Sequence, residues 1–115
     1  IAHVRAVIQN DEIEITTSDW AIKSKVASTD NLGFRSITKS VEAVYPDAVV
    51  APSLMFGATD SRMYNQLSDN IYRFHGMEIT MQQTGTIHGT DEHISIKSMA
   101  SMVEIAKQII VNSTL

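Results

Sequence analysis

The hydrophobic pattern of the chain alternates between two periods, one near two residues and one near 3.6 residues. Residues 11–17 place isoleucines at alternate positions among acidic and hydroxyl residues, which predicts a half-exposed strand. Residues 48–55 are mostly apolar and predict a buried strand, in which Pro52 requires an edge position or a bulge because it cannot donate a ladder hydrogen bond. Another strand is predicted to start near Asn70.

Two longer helices are predicted by apolar residues spaced three and four apart. The first is expected to run for about four turns, from a cap at Ser28, Thr29 or Asp30 to Pro46. Its apolar positions are Phe34, Ile37, Val41 and Val44. The last helix is expected to start at a Ser95 cap. Its apolar stripe comprises Ile96, Met99, Val103, Ala106 and Ile110.

The order of these elements predicts an α/β fold, because strands and helices alternate along the chain. Residues 18–28 follow neither period and contain Ser, Asp and Lys, which is typical of a connection and marks the best candidate for a domain boundary. The chain is therefore divided into residues 1–17, the connection 18–28 and residues 29–115.

Composition and charge restrict the classes of partner. A chain of 115 residues with 43% hydrophobic and 19% charged residues is one ordinary globular domain at most. The net charge of −4 leaves no basic stripe to neutralise phosphates, so we expect no nucleic-acid partner. No apolar run approaches the roughly 18 to 20 residues that cross a bilayer, so we expect no membrane partner. Without cysteine, any metal would be bound by histidine and carboxylates.

The loop formed by residues 57–62 is the first candidate site. Backbone N–H groups near Gly57, the Thr59 hydroxyl and the planar guanidinium of Arg62 could together bind a carboxylate. The simpler interpretation is that Thr59 or Asp60 caps a short helix that ends near Leu67, with Arg62 on its solvated face. The spacing alone does not separate these two interpretations.

The second candidate site is the sequence HGTDEH at residues 88–93, which contains two histidines, an aspartate and a glutamate. Imidazole and carboxylate are ligands of zinc, but the spacing matches no established linear metal motif. A structural or surface histidine is the alternative. A separate motif, the triplet Asn112-Ser113-Thr114, matches the acceptor sequence for N-glycosylation, which matters only in a secreted protein.

Two stretches taken together resemble a known family. VVAPSLMFGATDSRMYNQLSDNIYRFHGMEIT, followed by GTIHGTDEHISIKSM, is similar to the carboxyl-terminal part of the catalytic domain of the two-zinc amidohydrolases. That family includes the aminoacylases, glutamate carboxypeptidase and carboxypeptidase S, and the carboxypeptidase S branch is the most similar. The opening AHVRAVIQNDEIEI resembles the end of the family's inserted lid, or dimerisation, domain, in which a helix precedes the final strand. The resemblance implies a piece of a three-layer α/β/α domain.

The resemblance also implies roles for particular residues. His88 corresponds to the last zinc ligand of the family. Arg62 and the loop with Gly57 and Thr59 correspond to the site that binds the free carboxylate of the substrate. Asp60 is expected to cap or orient the loop that carries Arg62. Asp91 and Glu92 are expected to support His88 without binding the metal themselves.

The remaining metal ligands and the catalytic glutamate of the family belong to an upstream half that is not found in this sequence. We therefore expect a catalytically inactive fragment of an enzyme that uses two zinc ions, or cobalt or manganese in their place, to cleave the amide bond of a peptide or N-acyl amino acid. Exposed sheet edges would favour association with a second copy. The alternatives are a free-standing α/β module that binds a small anion without metal, and a scaffold without catalysis.

Overall fold

The computed structural model describes residues 1–17 and 24–114. Residues 18–23, most of the predicted connection 18–28, lie outside the described residues. The elements are, in order, α1 (Ala2–Ile8), α2 (Leu32–Val44), a 3₁₀ helix (Asp60–Gln66), α3 (Met81–Thr84) and α4 (Ile96–Thr114).

No β-strand forms within residues 1–17 and 24–114, which corrects the prediction of an α/β fold for this part of the molecule. Residues 48–55 and 70–79 lie outside helices, but no neighbouring segment forms a ladder with them. The predicted strand at 11–17 is replaced by a turn, in which the Ile13 N–H donates to the carbonyl oxygen of Asn10 at 3.3 Å. The sequence periodicity shows which residues suit a strand, but a strand also needs a hydrogen-bonded partner.

Helix α2 confirms the helix predicted before Pro46, with a different cap. The side chain of Asn31 accepts the backbone N–H of Gly33 at 2.8 Å and thereby caps the first turn. The predicted Ser28 accepts instead the N–H of Asp30 at 3.1 Å, within the turn before the helix. At the other end, Tyr45 donates to the carbonyl of Val41 at 2.7 Å and Pro46 prevents continuation.

Helix α4 confirms Ser95 as the cap, because the Ser95 hydroxyl accepts the N–H of Ser98 at 3.0 Å. The predicted packing face is wrong. Ile96 is 91% exposed and Val103 is 65% exposed, whereas Ile105, on another side of the helix, is 1% exposed. Helix α4 thus carries apolar residues on more than one side, and its contact with α2 buries the side that also carries Ser98.

The core forms where α2 and α4 pack together beneath residues 70–79. Tyr72 lies against Gly33 at the start of α2, and Gly76 lies against Ile105 in α4. Gly76 has φ +54°, and a Cβ there would lie 3.0 Å from Cδ1 of Ile105. Among the described hydrophobic residues, only Ile105 and Val41 are buried, and Val41 remains 9% exposed, so the core is small. The molecule measures 58 × 36 × 20 Å.

None of the helices in residues 1–17 and 24–114 is both long enough and apolar enough to cross a membrane.

Candidate functional site

The loop at residues 57–62 ends in a helix cap. The side chain of Thr59 accepts the N–H of Ser61 at 3.1 Å and also contacts the Ser61 hydroxyl, while Asp60 occupies the first turn of the 3₁₀ helix. The predicted cap is therefore confirmed, and it is Thr59. A carboxylate in the first turn is favourable beside the positive end of the helix dipole.

Arg62 lies in the same turn, and its N–H approaches the carbonyl of Thr59 at 3.4 Å. The residue is half-buried rather than fully solvated. Gly57 lies in open surroundings, since the nearest atom to a Cβ there would be Sδ of Met55 at 3.7 Å. Space therefore remains beside this loop, and a cap and a guanidinium lie within four residues of each other.

The loop at residues 88–93 is held in an unusual backbone conformation. His88 and Asp91 both have φ +60°, a region that L-residues other than glycine seldom adopt. The backbone N–H of His88 donates to Oε2 of Glu92 at 3.1 Å. The carbonyl of Asp91 contacts Nδ1 of His93. Backbone strain of this kind is maintained only where neighbouring groups enforce it, and it is concentrated at functional sites.

This arrangement distinguishes the two histidines. His88 is exposed, and its backbone is fixed by Glu92. The ring of His93 is already in contact with the backbone at Asp91. The structure therefore fixes the two residues differently, His88 through its backbone and His93 through its ring.

A complete metal site is not assembled in the part of the chain that the structure describes. Within residues 1–17 and 24–114, no three histidine, aspartate or glutamate side chains come close enough together to bind one ion. Glu92 is engaged by the backbone of His88, so the loop offers one imidazole and an acid that positions it. The chemistry of the loop fits one ligand of a larger set.

An open cavity of about 380 Å³, formed by residues with polar side chains, lies beside this loop, and the sequence pattern did not reveal it. Its lining includes His93 together with Glu78 and Lys97, whose charged atoms lie 3.5 Å apart. One wall is formed by α3, where Thr80 and Gln83 form a reciprocal capping box. The spacing Thr80-x-x-Gln83 is the sequence signal that could have predicted this short helix.

The sequence was compared with known proteins. It is 33% identical over 114 residues to a probable carboxypeptidase S-like protein of Dictyostelium discoideum, a match that covers 98% of this chain. The chain belongs to the carboxypeptidase S family of metallopeptidases. It is also 32% identical over 114 residues, 90% of this chain, to an N-fatty-acyl-amino acid synthase/hydrolase of Danio rerio. A putative carboxypeptidase of Saccharomyces cerevisiae is 42% identical over 66 residues, which cover 57% of this chain and 11% of that protein.

The chain spans 22% of the length of each of the first two relatives. The identities to these relatives confirm the family resemblance inferred from the two motifs. The relatives are named as carboxypeptidases and N-fatty-acyl-amino acid synthase/hydrolases, so the family contains hydrolases. No family model matches the chain. No solved structure matches it either.

Proposed function

We propose that this chain contributes one metal ligand and a carboxylate-binding loop to a metal-dependent hydrolase of the carboxypeptidase S family. The intact enzyme would cleave the amide bond of a peptide or an N-acyl amino acid that carries a free carboxylate. The observation that carries the proposal is the left-handed backbone of His88, held by a hydrogen bond to Glu92.

His88 is the proposed metal ligand. The other ligands of the ion would be supplied by residues of the intact protein outside the described ranges. Zinc is the expected ion, and cobalt or manganese accept the same ligands. A bound ion of this type lowers the pKa of a water molecule and polarises the amide carbonyl. The role of this chain is to fix the backbone that carries the His88 imidazole, through Glu92, before the ion binds. Preorganisation of this kind reduces the entropic cost of assembling the site.

Arg62 is the proposed partner of the substrate carboxylate. A planar guanidinium can form two parallel hydrogen bonds with a carboxylate, and Thr59 and Gly57 present backbone beside it. Asp60, next to Arg62 in the first turn, would orient the loop. The capping role of Thr59 is compatible with this proposal, because it fixes the turn from which Arg62 extends.

The three-layer α/β/α architecture is also part of the proposal. Residues 48–55 and 70–79 would become strands when strands from outside the described residues lie beside them, with α2 and α4 covering one face. Residues 1–17 would form the last segment of the lid domain. The exposed apolar side of α4 would pack against another part of the intact protein or against a second copy.

The deciding experiment is elemental analysis of the intact protein and of its His88→Ala variant, with His93→Ala as the matched control. The proposal expects about two metal ions per molecule in the parent enzyme, one fewer after His88→Ala, and no change after His93→Ala. Equal metal content in all three proteins would contradict it.

A second candidate function is supported by one observation, the Thr59-capped turn beside half-buried Arg62. An anion-binding module would need only this loop. The intact protein would then bind small carboxylates without containing a metal. The Arg62→Ala variant would lose this binding, and the His88→Ala variant would retain it.

A further inference from the structure

The acceptor triplet at Asn112 lies within the contact between α4 and α2. Nδ2 of Asn112 donates a hydrogen bond to Oγ of Ser40 at 3.0 Å. In the other direction, Oγ of Ser36 donates to the backbone oxygen of Asn112 at 3.2 Å. Oγ of Ser40 in turn donates to the backbone oxygen of Ser36 at 2.6 Å. Asn112 thus connects the two helices through both its side chain and its backbone.

The partners of Asn112 are withdrawn from water. Ser40 is 0% exposed and Ser36 is 3% exposed. The Ser40 hydroxyl donates a hydrogen bond to the carbonyl oxygen of Ser36 and accepts one from the amide of Asn112. It therefore acts as both a donor and an acceptor. A buried hydroxyl that lost this amide would keep an unsatisfied acceptor, which is unfavourable because no water replaces the lost partner.

The other two residues of the triplet are engaged by α4 itself. Oγ1 of Thr114 donates to the carbonyl of Val111 at 3.0 Å, and Oγ of Ser113 donates to the carbonyl of Ile109 at 2.6 Å. The triplet is therefore helical, with its hydroxyls bonded to the preceding turn, and it is not presented as a surface loop, the setting expected of an acceptor.

We infer that Asn112 stabilises the packing of α4 on α2 and that its acceptor triplet is unavailable for N-glycosylation in the folded protein. Glycosylation forms a bond from Nδ2 to the anomeric carbon of the sugar, breaks the bond from that carbon to the lipid pyrophosphate, which leaves, and removes one of the two amide protons of Asn112. In the folded protein Nδ2 lies 3.0 Å from a fully buried hydroxyl, so the amide must leave Ser40 before the enzyme can bind it. Attachment at Asn112 therefore requires α4 to separate from α2, and an occupied Asn112 marks chains that were modified while not folded.

The test compares native and heat-unfolded samples of the intact protein, each incubated with a purified oligosaccharyltransferase and a lipid-linked oligosaccharide. Occupancy at Asn112 is then measured by mass spectrometry of the peptide that contains it. The inference expects modification only of the unfolded sample. Equal modification of both samples would overturn it, and absence of modification in both would show that the sequence, rather than the fold, prevents attachment.

The variant V111N provides the matched control for access to the enzyme. It adds an acceptor one position earlier along α4, at a residue that is 46% exposed, uses Ser113 as the required hydroxyl and leaves Asn112 in place. If the packing of Asn112 is what prevents attachment, native V111N is modified at position 111 and not at Asn112. Equal, low modification of the two positions would assign the effect to the helix as a whole and would overturn the role given to Ser40.

The stabilising role has its own measurement. N112A is expected to lower the midpoint of thermal unfolding clearly more than S113A, because Ser113 is exposed and bonds only within its own helix. Equal midpoints for the two variants would overturn the interhelical role.

Discussion

Oε2 of Glu92 lies 3.1 Å from the backbone nitrogen of His88 and accepts its N–H, while His88 itself has φ +60°. The acid therefore acts on the backbone of the histidine rather than on its ring. A residue in the left-handed region costs roughly 1–2 kcal/mol relative to ordinary conformations. The hydrogen bond to Glu92 is exposed to solvent, so it offsets part of this cost and favours the left-handed backbone of His88.

The first prediction concerns Glu92. Glu92→Ala removes the acceptor and should weaken metal binding by the intact protein about 10- to 100-fold, the range typical of groups that orient a metal ligand. Glu92→Gln keeps an oxygen acceptor for the His88 N–H and should weaken binding less. Titration with zinc, read by calorimetry, gives both values. Equal losses in the two variants would indicate that the charge of Glu92, and not its hydrogen bond to the backbone, is what matters.

The second prediction concerns His88 and turnover. His88→Ala should abolish nearly all hydrolysis by the intact protein, because the site loses an imidazole ligand. His93→Ala should retain most activity, since the ring of His93 contacts only the neighbouring backbone at Asp91. Initial rates on an N-acyl amino acid would measure both. A larger loss in His93→Ala than in His88→Ala would reverse the assignment of the two histidines.

The third prediction concerns Arg62. A hydrogen-bonded contact between opposite charges contributes about 1.5–3 kcal/mol, so Arg62→Ala should raise KM roughly 10- to 100-fold for substrates with a free carboxylate. The matched comparison is the same substrate with its carboxylate converted to an amide, for which the two enzymes should differ little. Arg62→Lys should recover only part of the loss, because an ammonium lacks the two-pronged geometry. The same loss of activity on both substrates would instead assign Arg62 to the stability of its loop.

The fourth prediction concerns a titration in α4. A hydrogen bond from the Gln108 side chain, followed by the effects of Lys107, lowers the pKa of Glu104 below its ordinary value. A carboxyl with a lowered pKa stabilises the fold above the pKa of the unfolded chain and loses that contribution as the pH falls through the pKa of the folded state. Gln108→Ala and Lys107→Ala should each raise the pKa of Glu104, as measured by NMR of the carboxyl carbon. An unchanged pKa in Gln108→Ala would contradict the leading role of that hydrogen bond.

The helices of the described residues were largely predictable from the sequence because their signals are local. Pro46 ends α2, Ser95 starts α4, and Thr59 caps the 3₁₀ helix, each through contacts within a few residues. The cap of α2 was placed too early because Ser28, Thr29, Asp30 and Asn31 are all capable of capping. The local sequence does not decide which of them meets the first free N–H groups.

The strands and the packing face of α4 were not predictable because they depend on distant partners. The pattern of residues 48–55 is that of a strand, yet no neighbouring ladder is available within the described ranges. Along α4, the stripe that begins at Ile96 is more apolar, but the more buried side carries Ser98, Ile105 and Asn112. Ser98 donates to the carbonyl of Glu78, Ile105 lies against Gly76, and Asn112 donates to Ser40 of α2. At the site, residue types indicated His88, but only the structure reveals that Glu92 fixes its backbone.

The fifth prediction tests the contact that closes the core. Gly76 combines φ +54° with a space that Ile105 already fills, because an added Cβ would lie 3.0 Å from Cδ1 of Ile105 and 3.1 Å from its Cγ2. Gly76→Ala should therefore destabilise the intact protein by about 2–4 kcal/mol, the sum of left-handed strain and overpacking. Gly57→Ala is the matched control, since its Cβ would meet only Sδ of Met55 at 3.7 Å and its φ is not positive. Denaturant unfolding measures both variants. If Gly76→Ala cost as little as Gly57→Ala, residues 70–79 would not pack on α4 through Gly76, and the small core around Ile105 would need another boundary.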